Sequence, residues 1–321
     1  MSKNMYNNHC TVTASAMHLL VDCLCVCSLY ILAATNNYDD IISTILIYNI
    51  ISFCSQPLTG IVADKVARKE YLLYTSVALL ATAVIVTDFC TNNKVSLLPV
   101  AILLGTGNSL FHVWGGKQTA EKSNNCIISI GAFVAPGALG LSIGYLFHSY
   151  QLLYISIILI AILSLIYTII ETKEPNPKEE TLQEIYTFGN KWQITLLAMV
   201  VLSTIVMIRS LLGDKFSTSI IKSDTIILLT GIISTAGKVS GGIITKQIGL
   251  KLSILILVAA AILFYTIHTD GIYTALCGLF IINCTMPITL YLANIVLKGR
   301  EGLAFGILAA SLIPGYIIAT L

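Results

Sequence analysis

The feature that most constrains this chain is a series of eleven apolar runs, each about 20 residues long and separated by mostly short polar loops. A helix needs about 20 mainly apolar residues to cross the hydrocarbon core of a bilayer. The pattern therefore predicts an all-α, polytopic membrane protein. The predicted spans lie near residues 14–35, 41–63, 71–90, 95–116, 126–148, 151–171, 192–212, 225–245, 250–268, 271–293 and 302–321.

The composition excludes the common soluble classes. Hydrophobic residues make up 56% of the chain and charged residues only 11%, whereas a soluble domain carries about 25% charged residues. Basic and acidic residues are nearly balanced, at 18 and 16, which is not typical of a nucleic-acid-binding protein. The chain shows no nucleotide-binding glycine loop, zinc-ligand spacing or catalytic triad order. We therefore expect neither an enzyme nor a bound cofactor or structural metal.

The distribution of lysine and arginine predicts the orientation of the spans. If the N-terminus lies in the cytoplasm, thirteen basic residues fall on the inner side and four on the outer side. The four outer residues are Lys94, Arg209, Lys215 and Lys222. The longest polar segment, 172–191, is expected to be a cytoplasmic linker. It would separate a six-helix bundle (1–171) from a five-helix bundle (192–321), with Lys238 inside a span.

Two segments of the chain form an internal repeat. Residues 60–69, which begin at Gly60, align without gaps with residues 242–251, which begin at Gly242. Each segment ends the second predicted helix of its half and enters the third. Internal repeats of this kind are typical of secondary transporters.

The first of these segments, with Gly60, Asp64, Lys65, Arg68 and Lys69, resembles the motif that defines the major facilitator superfamily. Four stretches, at 17–22, 55–60, 105–112 and 298–302, are similar to the fosmidomycin-resistance family of bacterial drug-efflux permeases. The resemblance implies two pseudo-symmetric bundles in a bacterial cytoplasmic membrane. It also implies a monomer that exchanges a drug for protons, with the first, fourth, seventh and tenth helices lining a central cavity.

The same resemblance gives the loop residues a gating role. Asp64 is expected to close the cytoplasmic side by meeting the start of the eleventh helix near Gly302, where unsatisfied amides favour a carboxylate. The chain departs from the family in four ways. Val113 stands where the family has proline, the seventh span lacks the family's aromatic-rich outer half, and Lys246 stands at the repeat position of Asp64. The sequence ends at Leu321, where a twelfth helix would follow, so we expect either a truncated sequence or a naturally short protein.

Polar groups at membrane depth are candidates for function, because a charge at the centre of a span costs about 2.5–3.5 kcal/mol on insertion scales. His18 and Asp22 are four residues apart and share one helix face. Together with His112 they are predicted to handle protons, although a fixed pair that only packs the helix is an open alternative. The predicted substrate path contains Gln56, Asn108 and Lys238, and the predicted helix-packing residues are Gly131, Pro136 and Gly140.

The sequence leaves the transported compound open. We expect proton-coupled efflux of a drug or a small anionic compound, because a buried Lys238 ammonium needs a partner or an anion such as a phosphonate. A metabolite or nutrient permease is one alternative. Another is an exporter of transition metals that uses His18, Asp22, Cys25 and His112 as ligands. A non-transporting remnant is the third alternative, because of the missing helix.

Overall fold

The structure is a computed structural model that describes residues 3–93, 95–173, 192–218, 223–266 and 271–320. Most of the predicted linker 172–191 lies outside these residues. The described residues form helices throughout, without a β-strand. The helices are α1 (Lys3–Ala33), α2 (Tyr38–Asn49), α3 (Gln56–Lys65), α4 (Glu70–Asn92), α5 (Leu98–Lys122), α6 (Ile127–Val134), α7 (Pro136–Leu146), α8 (Tyr150–Lys173), α9 (Trp192–Thr218), α10 (Asp224–Ile248), α11 (Leu250–Thr266), α12 (Ile272–Val296), α13 (Glu301–Ala310) and α14 (Leu312–Thr320).

Within the described ranges, nine helical segments are long and apolar enough to cross a membrane. The other two predicted spans correspond to α5 and α11. Helix α5 is 25 residues long, but it carries polar residues such as Asn108 and His112. The apolar part of α11 is shorter, at Leu250–Phe264. The predicted all-α polytopic fold is confirmed.

Three of the spans are broken helices. A π-helical turn at Ile50–Cys54 joins α2 to α3, Ala135 separates α6 from Pro136, which begins α7, and Ser311 separates α13 from α14. Proline has no amide hydrogen to donate, so it is tolerated at the first position of a helix and interrupts one that precedes it. The Ala135 carbonyl at this break accepts a hydrogen bond from Thr235 Oγ1 at 3.0 Å. A neighbouring helix thus satisfies the interrupted backbone, as a membrane environment requires.

Small residues bring helix backbones into direct contact. A Cβ atom on Gly140 would clash with the Leu19 carbonyl of α1, and one on Gly131 would lie 2.8 Å from the Lys238 carbonyl of α10. Both predicted packing glycines therefore lie at helix contacts, and Gly131 lies between the N-terminal and C-terminal helices.

The outer faces of the bundle remain apolar. Ile155, Ile158 and Ile162 of α8 are exposed, whereas Phe111, Trp114 and Phe133 are fully buried in the interior. A broad exposed apolar surface suits contact with lipid tails, which in a bilayer replace water around the protein.

Candidate functional site

A cavity of about 340 Å³ lies between the N-terminal helices α1–α7 and the C-terminal helices α9–α14. Its volume is in the range of small-molecule sites. Most of its lining is apolar, and the polar lining side chains converge from both groups of helices. The polar residues that matter most are His18, Asp22, Asn108, His112, Arg209 and Lys238.

Two histidines and one carboxylate form a tight cluster at this cavity. His18 Nδ1 lies 2.7 Å from the Phe133 carbonyl oxygen, and His112 Nδ1 lies 2.9 Å from the Asn108 carbonyl oxygen. The two Nε2 atoms are 2.9 Å apart. Asp22 approaches both rings, with Oδ2 at 3.3 Å from His18 Nε2 and Oδ1 at 3.4 Å from His112 Nε2.

These distances define what the cluster can do chemically. A carbonyl oxygen only accepts hydrogen bonds, so each Nδ1 carries a hydrogen. In two neutral rings both Nε2 atoms would then present lone pairs to each other. A hydrogen bond at this separation requires one added proton between the rings, and the adjacent carboxylate stabilises the resulting positive charge. The arrangement is suited to holding a single proton.

Asn108 fixes the position of this cluster. Its Oδ1 accepts a 2.6 Å hydrogen bond from Ser52 Oγ in the π-helical turn, and its Nδ2 donates to Tyr48 Oη at 3.2 Å. The same amide lies 3.4 Å from Asp22 Oδ1 and 3.6 Å from Cys25 Sγ. Asn108 of α5 therefore links the Asp22 carboxylate of α1 to Tyr48 of α2 and to the π-helical turn.

Three of the four suggested metal ligands come together. One ligand atom each from His18, Asp22 and His112 lies within 4.8 Å of the others. Cys25 does not join this group; its buried thiol lies next to the Asn108 amide instead. A set of two imidazoles and one carboxylate remains a plausible donor set for a divalent transition metal.

The two equivalent repeat positions, Gln56 and Lys238, both line the cavity. Gln56 is fully buried, and its Nε2 donates to the Ser52 carbonyl at 2.9 Å. The Lys238 ammonium makes no hydrogen bond or ion pair with any residue that the structure describes.

Arg209, which is predicted from the sequence to lie on the outer side, lies inside a helix and lines the cavity. Helix α9 extends to Thr218, so Arg209 lies more than two turns from the end of the helix, with only 8% of its surface exposed. Its Nη1 donates to Thr289 Oγ1 at 3.3 Å. The predicted span ended at residue 212, shortly after Arg209; extending it through the following polar residues would have placed the arginine deep inside the helix.

The expected contact of Asp64 with the start of the eleventh span is present. Asp64 Oδ1 accepts a 2.9 Å hydrogen bond from the Gly302 amide, and Oδ2 accepts one of 2.9 Å from the Leu303 amide. These amides belong to the first turn of α13, where helix geometry leaves them without a partner. Asp64 thus caps a helix from the other end of the chain.

A network of charges that the sequence did not predict surrounds this cap. Lys117 Nζ lies 2.7 Å from Asp64 Oδ1, 2.8 Å from Glu121 Oε1 and 3.9 Å from Glu301 Oε2. Glu121 also pairs with Lys69. The spacing of Lys117 and Glu121, four residues apart at the polar end of α5, is the sequence signal for part of this network.

The two other basic residues of the loop stay outside the network. Lys65 and Arg68 are exposed, and Arg68 Nη1 donates to Tyr71 Oη at 3.2 Å.

The two repeat glycines lie at corresponding helix contacts. A Cβ on Gly60 would clash with the Gly302 carbonyl of α13, and one on Gly242 would lie 2.7 Å from the Ile127 carbonyl of α6. At this end of the bundle the N-terminal and C-terminal helices are therefore in direct backbone contact on both sides.

Residues 26–320 match the family model of the Major Facilitator Superfamily. The chain belongs to this superfamily. Members of the superfamily are membrane transporters rather than enzymes, so the chain is an integral membrane protein and a secondary transporter of the major facilitator type. No curated protein matches the chain in sequence.

Solved structures of other transporters share the fold. The Escherichia coli fucose:proton symporter FucP superimposes with a TM-score of 0.66 at 12% identity, covering 100% of this chain and 91% of its own. A bacterial homologue of the iron transporter ferroportin gives 0.53 at 14% identity, with coverages of 97% and 90%. The nucleoside transporter NupG gives 0.51 at 15% identity, with coverages of 97% and 91%. At these identities the similarity establishes the fold alone.

Proposed function

We propose that the protein is a proton-coupled secondary transporter that exports a drug or a small anionic compound by alternating access. The observation that carries this proposal is the 2.9 Å separation of His18 Nε2 and His112 Nε2 beside Asp22. A proton held there borders the same cavity that would hold the substrate. Occupancy of the proton site therefore affects substrate binding through its charge, and this effect is the basis of coupling.

The Asp64 network supplies the second element of an alternating-access cycle. It joins α3, α5 and α13 at one end of the cavity, so its formation and rupture would close and open that end. We place this end at the cytoplasmic face of a bacterial membrane, with the N-terminus inside, because of the lysine and arginine bias. The transporter is proposed to work as a monomer.

Proton movement in liposomes tests the proposal directly. The purified protein is reconstituted with a trapped pH dye, and phosphonates, amphiphilic drugs, sugars and nucleosides are added in turn. We expect a compound-dependent pH change that disappears in Asp22→Asn. The matched control is Asp39→Asn, since Asp39 is an exposed carboxylate at the start of α2. An unchanged proton flux in Asp22→Asn, with the protein folded, would refute the role of the cluster.

A divalent transition metal is the second candidate substrate. The three donor atoms of His18, Asp22 and His112 within 4.8 Å favour it. One structural neighbour is a homologue of an iron transporter. Titration of the detergent-purified protein with Co²⁺ tests this candidate, because cobalt bound to imidazole has a characteristic visible spectrum. A spectrum that is absent in the wild type would eliminate it.

A further inference from the structure

Two cationic side chains face the cavity without a counter-ion. Arg209 is buried, and among the described residues its guanidinium contacts one polar group, Thr289 Oγ1. Lys238 has no hydrogen bond or ion pair within the part of the chain that the structure describes. Buried cations are costly unless an anion compensates them. A buried arginine and a half-buried lysine that line one cavity therefore point to a ligand that brings negative charge.

Asp22 does not serve as this anion. Its two oxygens are already engaged with His18, His112 and the Asn108 amide. The charge of Lys238 acts on Asp22 and on Arg209 across the cavity, without direct contact. The described lining therefore sets two basic side chains against one carboxylate. The remaining ionisable groups that face the cavity are the histidine pair and the phenols of Tyr30 and Tyr48.

We propose that Arg209 and Lys238 form an oxyanion-binding subsite in this cavity. The inference rests on the proposed function, since it assigns the substrate class of the same cavity. A guanidinium offers a planar fork of donors that matches a carboxylate, sulfonate or phosphonate, while an ammonium supplies a compact charge beside it. Thr289 holds the Arg209 fork in place from α12.

The rest of the cavity indicates what the anion is attached to. Leu29 and Phe53 line it from the N-terminal helices, and Met286 and Leu308 line it from the C-terminal helices. A cavity of about 340 Å³ with this lining suits a small organic anion that has an apolar body. The oxyanion head would lie against α9 and α10, and the body would contact the apolar wall.

Methanesulfonate is a suitable probe, because its charge does not change with pH. The purified protein in lipid nanodiscs is titrated with it, and the heat of binding is measured. We expect saturable binding to the wild type. Tetraethylammonium, which carries the opposite charge, should not bind.

Matched variants separate the anion subsite from the proton site. Arg209→Gln and Lys238→Gln should each weaken methanesulfonate binding by at least about tenfold, and Arg209→Lys should retain part of the affinity. Lys251→Gln removes an exposed lysine at the start of α11 and should change nothing. His112→Gln should retain methanesulfonate binding, because it changes the histidine pair and neither of the two basic side chains. Gel filtration and thermal unfolding establish that each variant is folded.

The possible results test the oxyanion subsite and the proposed proton coupling separately. If the folded wild type does not bind methanesulfonate, or if Arg209→Gln and Lys238→Gln bind it unchanged, the oxyanion subsite is wrong, while proton flux in liposomes can still support the proposed function. If methanesulfonate binds through Arg209 and Lys238 but the liposomes show no proton flux, the subsite stands and the proton-coupling proposal fails.

Discussion

Replacement of Asp64 by alanine should open the end of the cavity that we propose this residue closes. The Asp64 carboxylate accepts hydrogen bonds from the Gly302 and Leu303 amides and pairs with Lys117. These contacts join α3 to α13 only while the two helices are together. Their loss therefore destabilises the closed arrangement and leaves the open one nearly unaffected.

The size of the effect follows from the contacts. A hydrogen bond to a charged group contributes about 1.5 kcal/mol at the lower end of its range, and Asp64 accepts two from backbone amides. We assign no net loss to Lys117, because it keeps its 2.8 Å pair with Glu121. The closed state should lose about 3 kcal/mol, which shifts its population relative to the open state by about 150-fold.

Hydrogen–deuterium exchange measures this shift at the contact itself. In nanodiscs, peptides that contain the first turn of α13 should exchange much faster in Asp64→Ala than in the wild type. Asp64→Asn should be intermediate, since a side-chain amide oxygen still accepts a hydrogen bond but carries no charge. Transport assays should show lower turnover with little change in apparent substrate affinity. Asp39→Ala, at an exposed position, is the control.

Two results would refute this reasoning. Unchanged exchange at residues 301–303 in folded Asp64→Ala would mean that the two hydrogen bonds do not hold this end closed. Weaker substrate binding at normal turnover would mean that Asp64 contributes to the substrate site rather than to the gate.

Three further predictions concern two close glycine contacts and one buried ion pair. Gly60→Val places atoms against the Gly302 carbonyl, so it should accelerate exchange at α13 as Asp64→Ala does. Gly137→Ala would place a Cβ atom against Asp22 Oδ2 and should abolish proton flux in liposomes while insertion into the membrane, measured by yield, stays normal. Lys117→Met removes the buried ammonium that pairs with Asp64, while Glu121 keeps Lys69, and should lower stability by about 3 kcal/mol in chemical unfolding. No change in unfolding would mean that the network contributes little.

The sequence was sufficient to predict the fold, because a lipid environment restricts the conformations that the backbone can adopt. A chain in a bilayer must satisfy its backbone hydrogen bonds within each span, so a run of about 20 apolar residues becomes a helix whatever its neighbours are. The motif from Gly60 to Lys69 indicated the superfamily and the contact between Asp64 and α13. The four-residue spacings of His18 with Asp22 and of Asn108 with His112 placed each pair on one helix face.

The sequence could not determine which residues of other helices contact those faces. Helical periodicity gives the direction of a side chain relative to its own axis, but the rotation and tilt of one helix against another depend on packing over its whole length. The encounter of His18 with His112 joins α1 to α5, and the charge network joins Lys117 to Glu301 across most of the chain. Arg209 lines the cavity because α9 continues past the end of its apolar run. Only the tertiary structure decided these contacts, because each depends on the relative placement of helices that are far apart in sequence.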